Sequence, residues 1–513
     1  MAQQAVTQAR KESEKGERPQ YQHVFREWGG CFTRNARTAC PHDKWYYLEN
    51  LQPIGSANAR TVPNISASLH DFGGDSIYAA GYANVVNVDY LIMFSSNGKV
   101  FSYKISDGTT TQIASGLTGS GASMDQWKNA AVVIVDGSNY YSWDGTTFTT
   151  RGGTTGAPSS GQAIAVYAGR VWIAQNRLLY YSAADSLSDF QTADGGGNVS
   201  ITDSQLRTSV QRLIAANGYL YILGRTSINV IADVYVPSGA SPPTPVFTNL
   251  NVQAIIGTDQ PWSVFPYNRS LMLANRYGAF ALDGVTAQKI SDDIDTTWQW
   301  LDFSQSISGG QFVVNNILTS AFLVKSGNDP VLGPATRLAL WWDKKWWFGN
   351  FGSLTYVMSA YASNVPTLFG MIGNKLYQLF SDTNSAPTSK FITALWDLGD
   401  PISDKKVLKA GIETQVFGNY GSASFNVDGP NSSVPMNLTQ FSLNLTFQGA
   451  DGGTLQFTGT GGAPIYFYEN GYGLIAGDAP SMFTKYVGMS GVFYGWNMEL
   501  SMVAMDIQLT KRW

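Results

Sequence analysis

One pattern recurs along the middle of the chain. A short apolar run rich in β-branched and aromatic residues meets a polar break of about two residues, and a second such run follows. Residues 169–190, GRVWIAQNRLLYYSAADSLSDF, show it most plainly. Residues 171–173 are apolar, Gln175 and Asn176 make the turn, and residues 178–181 return. Such runs suit a pleated, half-buried surface, and a polar pair between them signals a β-hairpin. One hairpin cannot bury its own faces in water, so it needs copies beside it.

The chain supplies them. Residues 91–104 turn at Asn97-Gly98, and residues 132–149 turn at Asp136-Gly137 and again at Asp144-Gly145. These are among the strongest hairpin dipeptides. Further hairpins occupy 219–233 (turning near Arg225), 270–291 (near Tyr277-Gly278 and at Asp283-Gly284), 338–352 (at Asp343-Lys344) and 368–380 (at Gly373-Asn374). Their turns fall roughly 30 to 70 residues apart, mostly near 40 to 50, the spacing of four-stranded propeller blades. The last two hairpins are close enough to share a blade. An all-β fold is therefore expected, with a roughly six-bladed β-propeller over residues 64–394.

The pattern changes on either side. Residues 1–24 form a polar arm of mixed charge, ordered only against a partner. Residues 25–63 mix Trp28, Phe32, Trp45, Tyr46 and Tyr47 with glycines and prolines, which predicts an extended segment packing on the propeller. From 395 to 513 apolar and polar residues alternate strand by strand, as at 408–429, 438–449, 453–460 and 464–470. That predicts a β-sandwich-like domain. No helix is signalled clearly outside the arm. The irregular stretches 152–161, 192–203 and 236–246 read as loops. Residues 152–161 and the proline-rich 236–246 are expected to project and to mediate subunit or channel contacts.

Composition sharpens this picture. Of 513 residues only 14% are charged, while 13% are aromatic and 53 are glycine. Low charge with many aromatics points to an ordered all-β chain with extensive covered surface, the opposite of a disordered one. The net charge of −4 offers no basic face for tight nucleic-acid binding. Two cysteines are too few for a disulfide scaffold. Neither a membrane-spanning run nor a secretory h-region is evident, so the chain is expected to remain in the cytosol until it joins a larger assembly.

Candidate chemistry is sparse. His23, Cys31, Cys40 and His42 could ligate zinc, but C-x8-C-x-H lacks the short arm of structural zinc sites. Two reduced thiols with surface histidines is the favoured reading. Asp185, Asp189, Asp194 and Asp203 flank a glycine-rich loop without forming a calcium loop motif. SWDGTTF (142–148) is close to a sialidase Asp-box, but its glycine falls one position early, as in an ordinary hairpin turn. WWDKKWWF (341–348) could stack bases or sugars; cross-strand packing of its tryptophans is the favoured reading. All three histidines precede residue 71, and no nucleophile, P-loop or dinucleotide motif occurs. No catalytic, cofactor-binding or metal residue is assigned, and the chain is expected not to be an enzyme.

Several stretches together carry a resemblance: EWGGCF (27–32), ENLQPIGSANARTVP (49–63), residues 169–190, and NRYGAFALDGVTAQKISDDIDTTW (275–298), followed by the tryptophan-rich hairpin. They are similar to the propeller-bearing nozzle, or tail-hub, proteins of short-tailed bacteriophages, including packaged-DNA stabilisation proteins. The likeness covers about residues 25–420 and leaves the C-terminal segment unmatched. It implies a virion tail protein, assembled in the host cytoplasm as a homohexameric ring beneath the portal and its adaptor ring. Tail needle, spike or fibre proteins would be its other partners. Its lumen would retain double-stranded DNA and conduct it without sequence-specific binding, and no cofactor is implied. A weakly acidic lumen suits passage, since a basic one would grip phosphates through counterion release. The alternative is a receptor- or glycan-binding propeller at the tail tip. A propeller glycosidase is disfavoured because paired carboxylates are missing from the motifs.

Overall fold

The computed structural model describes residues 8–9, 20–253, 256–417, 422–438, 447–448, 454–455, 457–458, 464–465, 473–479, 482–495 and 497–510. Strands dominate, with a single-turn α-helix at Asp295–Gln299. The chain divides into two units. Asn64–Lys344 with Asn350–Asp382 forms one; Met1–Pro63, Lys345–Gly349 and Thr383–Trp513 form the other.

The first unit is a β-propeller, built as the hairpins predict. Five four-stranded antiparallel meanders open with Ile77–Val85, Ser123–Trp127, Ala163–Tyr167, Arg212–Ala216 and Phe265–Tyr267. A sixth blade contributes Ser308–Val314, Ile317–Lys325 and Thr336–Trp342 to this unit. The seventh comprises Leu354–Ala362, Val365–Ile372 and Lys375–Gln378, with His70–Asp71 paired antiparallel to its third strand. The hairpins at 338–352 and 368–380 thus belong to different sheets. Among the described residues the blades number seven, one more than the spacing of those hairpins suggested. A strand from before blade 1 completes blade 7, so the two ends of the propeller sequence are joined in one sheet.

Neighbouring blades share apolar cores. Blade 7 meets blade 1 through Met358, Phe369, Met93 and Tyr103. Trp172 and Tyr181 of blade 3 pack with Leu220 and Ile231 of blade 4. Phe265 lies 5.2 Å from Phe322 between blades 5 and 6, and Phe312 stacks on Phe380 at 4.6 Å between blades 6 and 7. Inner strands approach closely: a Cβ on Gly310 would sit 2.6 Å from Ser359 Cβ, which leaves no room for one.

Each first strand turns into its second by a tight loop with at least one residue at positive φ. Val86-Asn87, Ala168-Gly169, Asn217-Gly218, Asn315-Asn316 and Ser363-Asn364 do so at both positions, as type I′ hairpins require. These turns are linked from blade to blade. Val86 N donates to Asn129 O at 3.1 Å, Asn129 Nδ2 to Asn87 Oδ1 at 2.6 Å, Tyr167 Oη to Gly218 O at 2.6 Å and Asn217 Nδ2 to Arg269 O at 2.5 Å.

The second unit is sandwich-like. In one sheet Met498–Thr510 pairs with Asp404–Val416 along most of its length and with Gln20–Phe25. In the other, Tyr47–Glu49 lies between Lys345–Gly349 and Ser389–Ile392, followed by Gly488–Phe493 and Ala423–Asp428. An aromatic core joins the sheets: Trp28 stacks on Trp45 at 4.1 Å, and Trp45 meets Phe25 at 4.5 Å and Phe391 at 5.4 Å. The expected boundaries change accordingly. Residues 25–63, expected as a separate extended segment, belong to this second unit, to which they supply strands and the central tryptophans. That unit also includes 345–349 and begins its C-terminal part at 383, not 395. Most of the arm (1–7 and 10–19) and most of the strand phrases at 438–449, 453–460 and 464–470 lie outside the described residues.

Phe72 follows the closing strand, is 6% exposed, and meets Phe101 of blade 1 at 5.2 Å. Phe72→Ala is expected to cost the propeller about 3–5 kcal/mol in denaturant unfolding. A loss below about 1 kcal/mol would show that this closure contributes little.

Candidate functional site: the propeller axis

The candidates read from sequence do not converge. Leu48 N donates to Cys31 Sγ at 3.1 Å, and Cys40 Sγ lies 3.6 Å from Lys44 O; both cysteines are buried and neither forms a disulfide. The His23 ring lies 6.5 Å from His42 and 4.5 Å from Trp396. Among the described residues no three His, Cys, Asp or Glu side chains gather as a metal site. Asp185 pairs with Lys128 at 2.9 Å. Asp189 and Asp203 accept N–H groups of their own turns, and Asp194 sits in a separate short turn, Thr192–Asp194. Asp144 accepts the N–H groups of Thr147 and Thr146, which hold its carboxyl below the usual range. It serves a hairpin turn.

Trp346 and Trp347 are buried, and Trp341 packs edge-on against Tyr267 at 5.7 Å. These rings are packing elements. Residues 236–246 are largely exposed. Even so, the loop is anchored: a Cβ on Gly195 would lie 2.3 Å from Pro243 O.

The structure instead brings polar side chains together at the propeller axis. The first strand of each blade faces that axis, and one of its edges lacks a strand partner. Backbone donors there still require acceptors. Side chains of neighbouring blades supply them. Ile164 N donates to Ser123 Oγ at 3.3 Å and Val166 N to Asp125 Oδ2 at 2.7 Å. Asn84 N donates to Gln126 Oε1 at 2.8 Å and Val357 N to Ser308 Oγ at 2.9 Å.

Arg212, which opens blade 4, reaches across this inner surface. Its Nη1 donates to Ser123 Oγ at 3.2 Å, and its guanidinium lies 4.8 Å from the Trp262 ring centroid. Trp262 meets Tyr356 of blade 7 edge-on at 5.9 Å, and Tyr356 Oη donates to Ala80 O at 3.0 Å. Burial pushes the Asp125 carboxyl up, while the N–H groups of Val166 and Gln126 and the Arg212 charge pull it down. Burial lowers Arg212 in turn, with Asp125 opposing. Burial raises the Tyr78 phenol to about 12. Large side chains from several blades therefore occupy the axis, braced by one cation and one carboxyl.

Neither Asp125 nor Arg212 was singled out from sequence. For Arg212 the available signal was a charge opening the apolar run Arg212–Ala216 in a chain where charge is scarce; Asp125, in the polar strand Ser123–Trp127, offered none. As chemistry, the arrangement offers no histidine, and it ties blades together.

No family model matches the chain, and no curated protein does. Among solved structures, BBS1N in complex with ARL6DN shares 11% identity over 63% of this chain and 98% of that one, with a TM-score of 0.40. BamB from Moraxella catarrhalis shares 11% over 64% of this chain and 92% of that one, with a TM-score of 0.37. At that distance neither likeness speaks to function.

Two outcomes test the buried groups. A double-mutant cycle of Arg212→Met and Asp125→Asn should give a coupling of about 1–3 kcal/mol; additive losses would show that the two groups act separately. His23 is held down to about 4 from 6.5, first by burial and then by His42. Because the folded value is depressed, the stabilisation is complete above about pH 6.5 and falls as the unfolded chain takes up the proton. Between pH 7.5 and 5 the sandwich should lose about 2 kcal/mol through this residue, and His23→Phe should flatten that slope. An unchanged slope in the variant would contradict the assignment.

Proposed function

We propose that the chain is a structural protein of a bacteriophage tail, a subunit of the nozzle or hub ring that retains packaged DNA and conducts it during ejection. The observation that carries this reading is the set of sequence phrases at 27–32, 49–63, 169–190 and 275–298, which resemble the nozzle family. The positions of three of them give each a structural reason. The phrase at 169–190 holds the second and third strands of blade 3, where Arg170 Nη1 donates to Ser182 O at 2.5 Å and Gly195 O at 2.8 Å. The phrases at 27–32 and 49–63 supply Trp28 and two strands to the sandwich.

The filled axis supports a specific form of this reading. A duplex has no path through a propeller whose centre is occupied by Arg212, Trp262 and Tyr356. The conduit would lie between copies, with each propeller as a rigid wall element. A net charge of −4 per chain gives that wall little tendency to bind phosphate. The ring would sit on the portal's adaptor, assign no residue to catalysis and need no cofactor.

The test uses tail-deficient heads that carry the adaptor. Added full-length protein should bind them and render their DNA resistant to nuclease. Heads that neither bind the protein nor retain DNA would overturn the proposal.

A further inference from the structure

The sandwich's second sheet carries a groove on its outer face. Three adjacent strands, Ser389–Ile392, Gly488–Phe493 and Ala423–Asp428, form its base. Phe391, Phe425 and Phe493 pack together, buried, on the core side of that sheet. Alternate residues therefore stand on the opposite face. The register sets Val492 between Lys390 and Ser424, and Ser490 between Ile392 and Asn426. With Arg37 and Asp428 they line a space of about 300 Å³.

The charges of the groove are unequally paired. Asp428 has both oxygens engaged, Oδ2 by Arg37 Nη2 at 2.8 Å and Oδ1 by Ser433 Oγ at 2.7 Å. Arg37 is held further by its Nε, which donates to Thr393 O at 2.7 Å. Lys390 has no carboxylate in ion-pair range among the described residues, and its Nζ lies 5.6 Å from the Tyr47 ring centroid. Glu49 pairs with Lys390 across the ladder, but it is buried, accepts Tyr47 Oη at 2.5 Å and does not line the groove. Among the lining groups one cation is thus left over. Ser424 is exposed, and Lys390, Asn426 and Ser490 are partly exposed. The side chains of Ser424, Asn426 and Ser490 make no hydrogen bond among the described residues, so their hydroxyls and amide are open to a ligand.

We infer that this groove binds a small organic monocarboxylate with an apolar body. Lys390 supplies one positive charge, which matches a monoanion and leaves a phosphate dianion partly unanswered. The serine hydroxyls and the Asn426 amide can donate to carboxylate oxygens, and such charge-assisted bonds are the stronger kind. Ile392 and Val492 offer apolar surface to the carbon skeleton. Apolar lining with a few placed polar groups is the usual make-up of a small-molecule site. The inference rests on the sandwich alone and does not depend on the tail reading.

The experiment is saturation-transfer NMR on the full chain, with hexanoate and benzoate as probes, hexanamide and benzamide as their neutral counterparts, and inorganic phosphate as competitor. At least one carboxylate should bind in the millimolar range and about tenfold more tightly than its amide, and equimolar phosphate should not displace it. Lys390→Met keeps the aliphatic stem and removes the charge. It should weaken carboxylate binding about tenfold, the worth of one hydrogen bond to a charged group. Ser424→Asp, at an exposed position, sets a negative charge in the groove and should weaken binding similarly without lowering thermal stability. Absence of carboxylate binding, an amide that binds as well as its acid, displacement by phosphate, or binding unchanged in both variants would overturn the inference.

Discussion

The exposed inner edge of each blade is the constraint from which the propeller follows. Seven strands converge on one axis, and none has a strand partner on its inner side. Unpaired backbone groups in such a place cost as much as lost hydrogen bonds. Ser123, Asp125, Gln126 and Ser308 answer them from the adjacent blade, so a side chain takes the role that a ladder bond plays within a sheet. Each of these bonds spans two blades, so blades 1, 3 and 7 are not satisfied alone. The same closeness excludes a side chain at Gly310 and leaves room for only a few large groups at the centre.

Arg212 extends that logic across the axis. An arginine whose charge is enclosed must be balanced, and Asp125 with the face of Trp262 provides the balance. The result fixes several blades against one another. On the proposed tail reading, a conduit would then lie between copies and not through one propeller. A scaffold of this kind suits a wall that must hold its shape under pressure.

The all-β class and the hairpins were legible because Asn97-Gly98, Asp136-Gly137 and Gly373-Asn374 announce themselves by turn chemistry. The blade count was not. Val86 and Ala168 take positive φ although neither is a turn former, because the twist of the flanking strands imposes it. Had those inner turns been visible, their recurrence at roughly 40–50 residues would have given seven. The closing strand, His70–Asp71, is too short to show periodicity. The sandwich was misdivided for another reason: Gln20–Phe25 pairs with residues nearly the whole chain away, and no local signal reports such a pairing. At the axis, Arg212 and Asp125 carry no motif. Their meaning arises only when blades 2 and 4 are brought together.

The central claim is that closed propellers wall a conduit formed between copies. Electron cryomicroscopy of the protein bound to adaptor-bearing heads tests it most directly. The account predicts sixfold density with a lumen at the ring centre, and each propeller axis filled and outside that lumen. A trimeric or monomeric attachment, or duplex density running through a propeller axis, would contradict it.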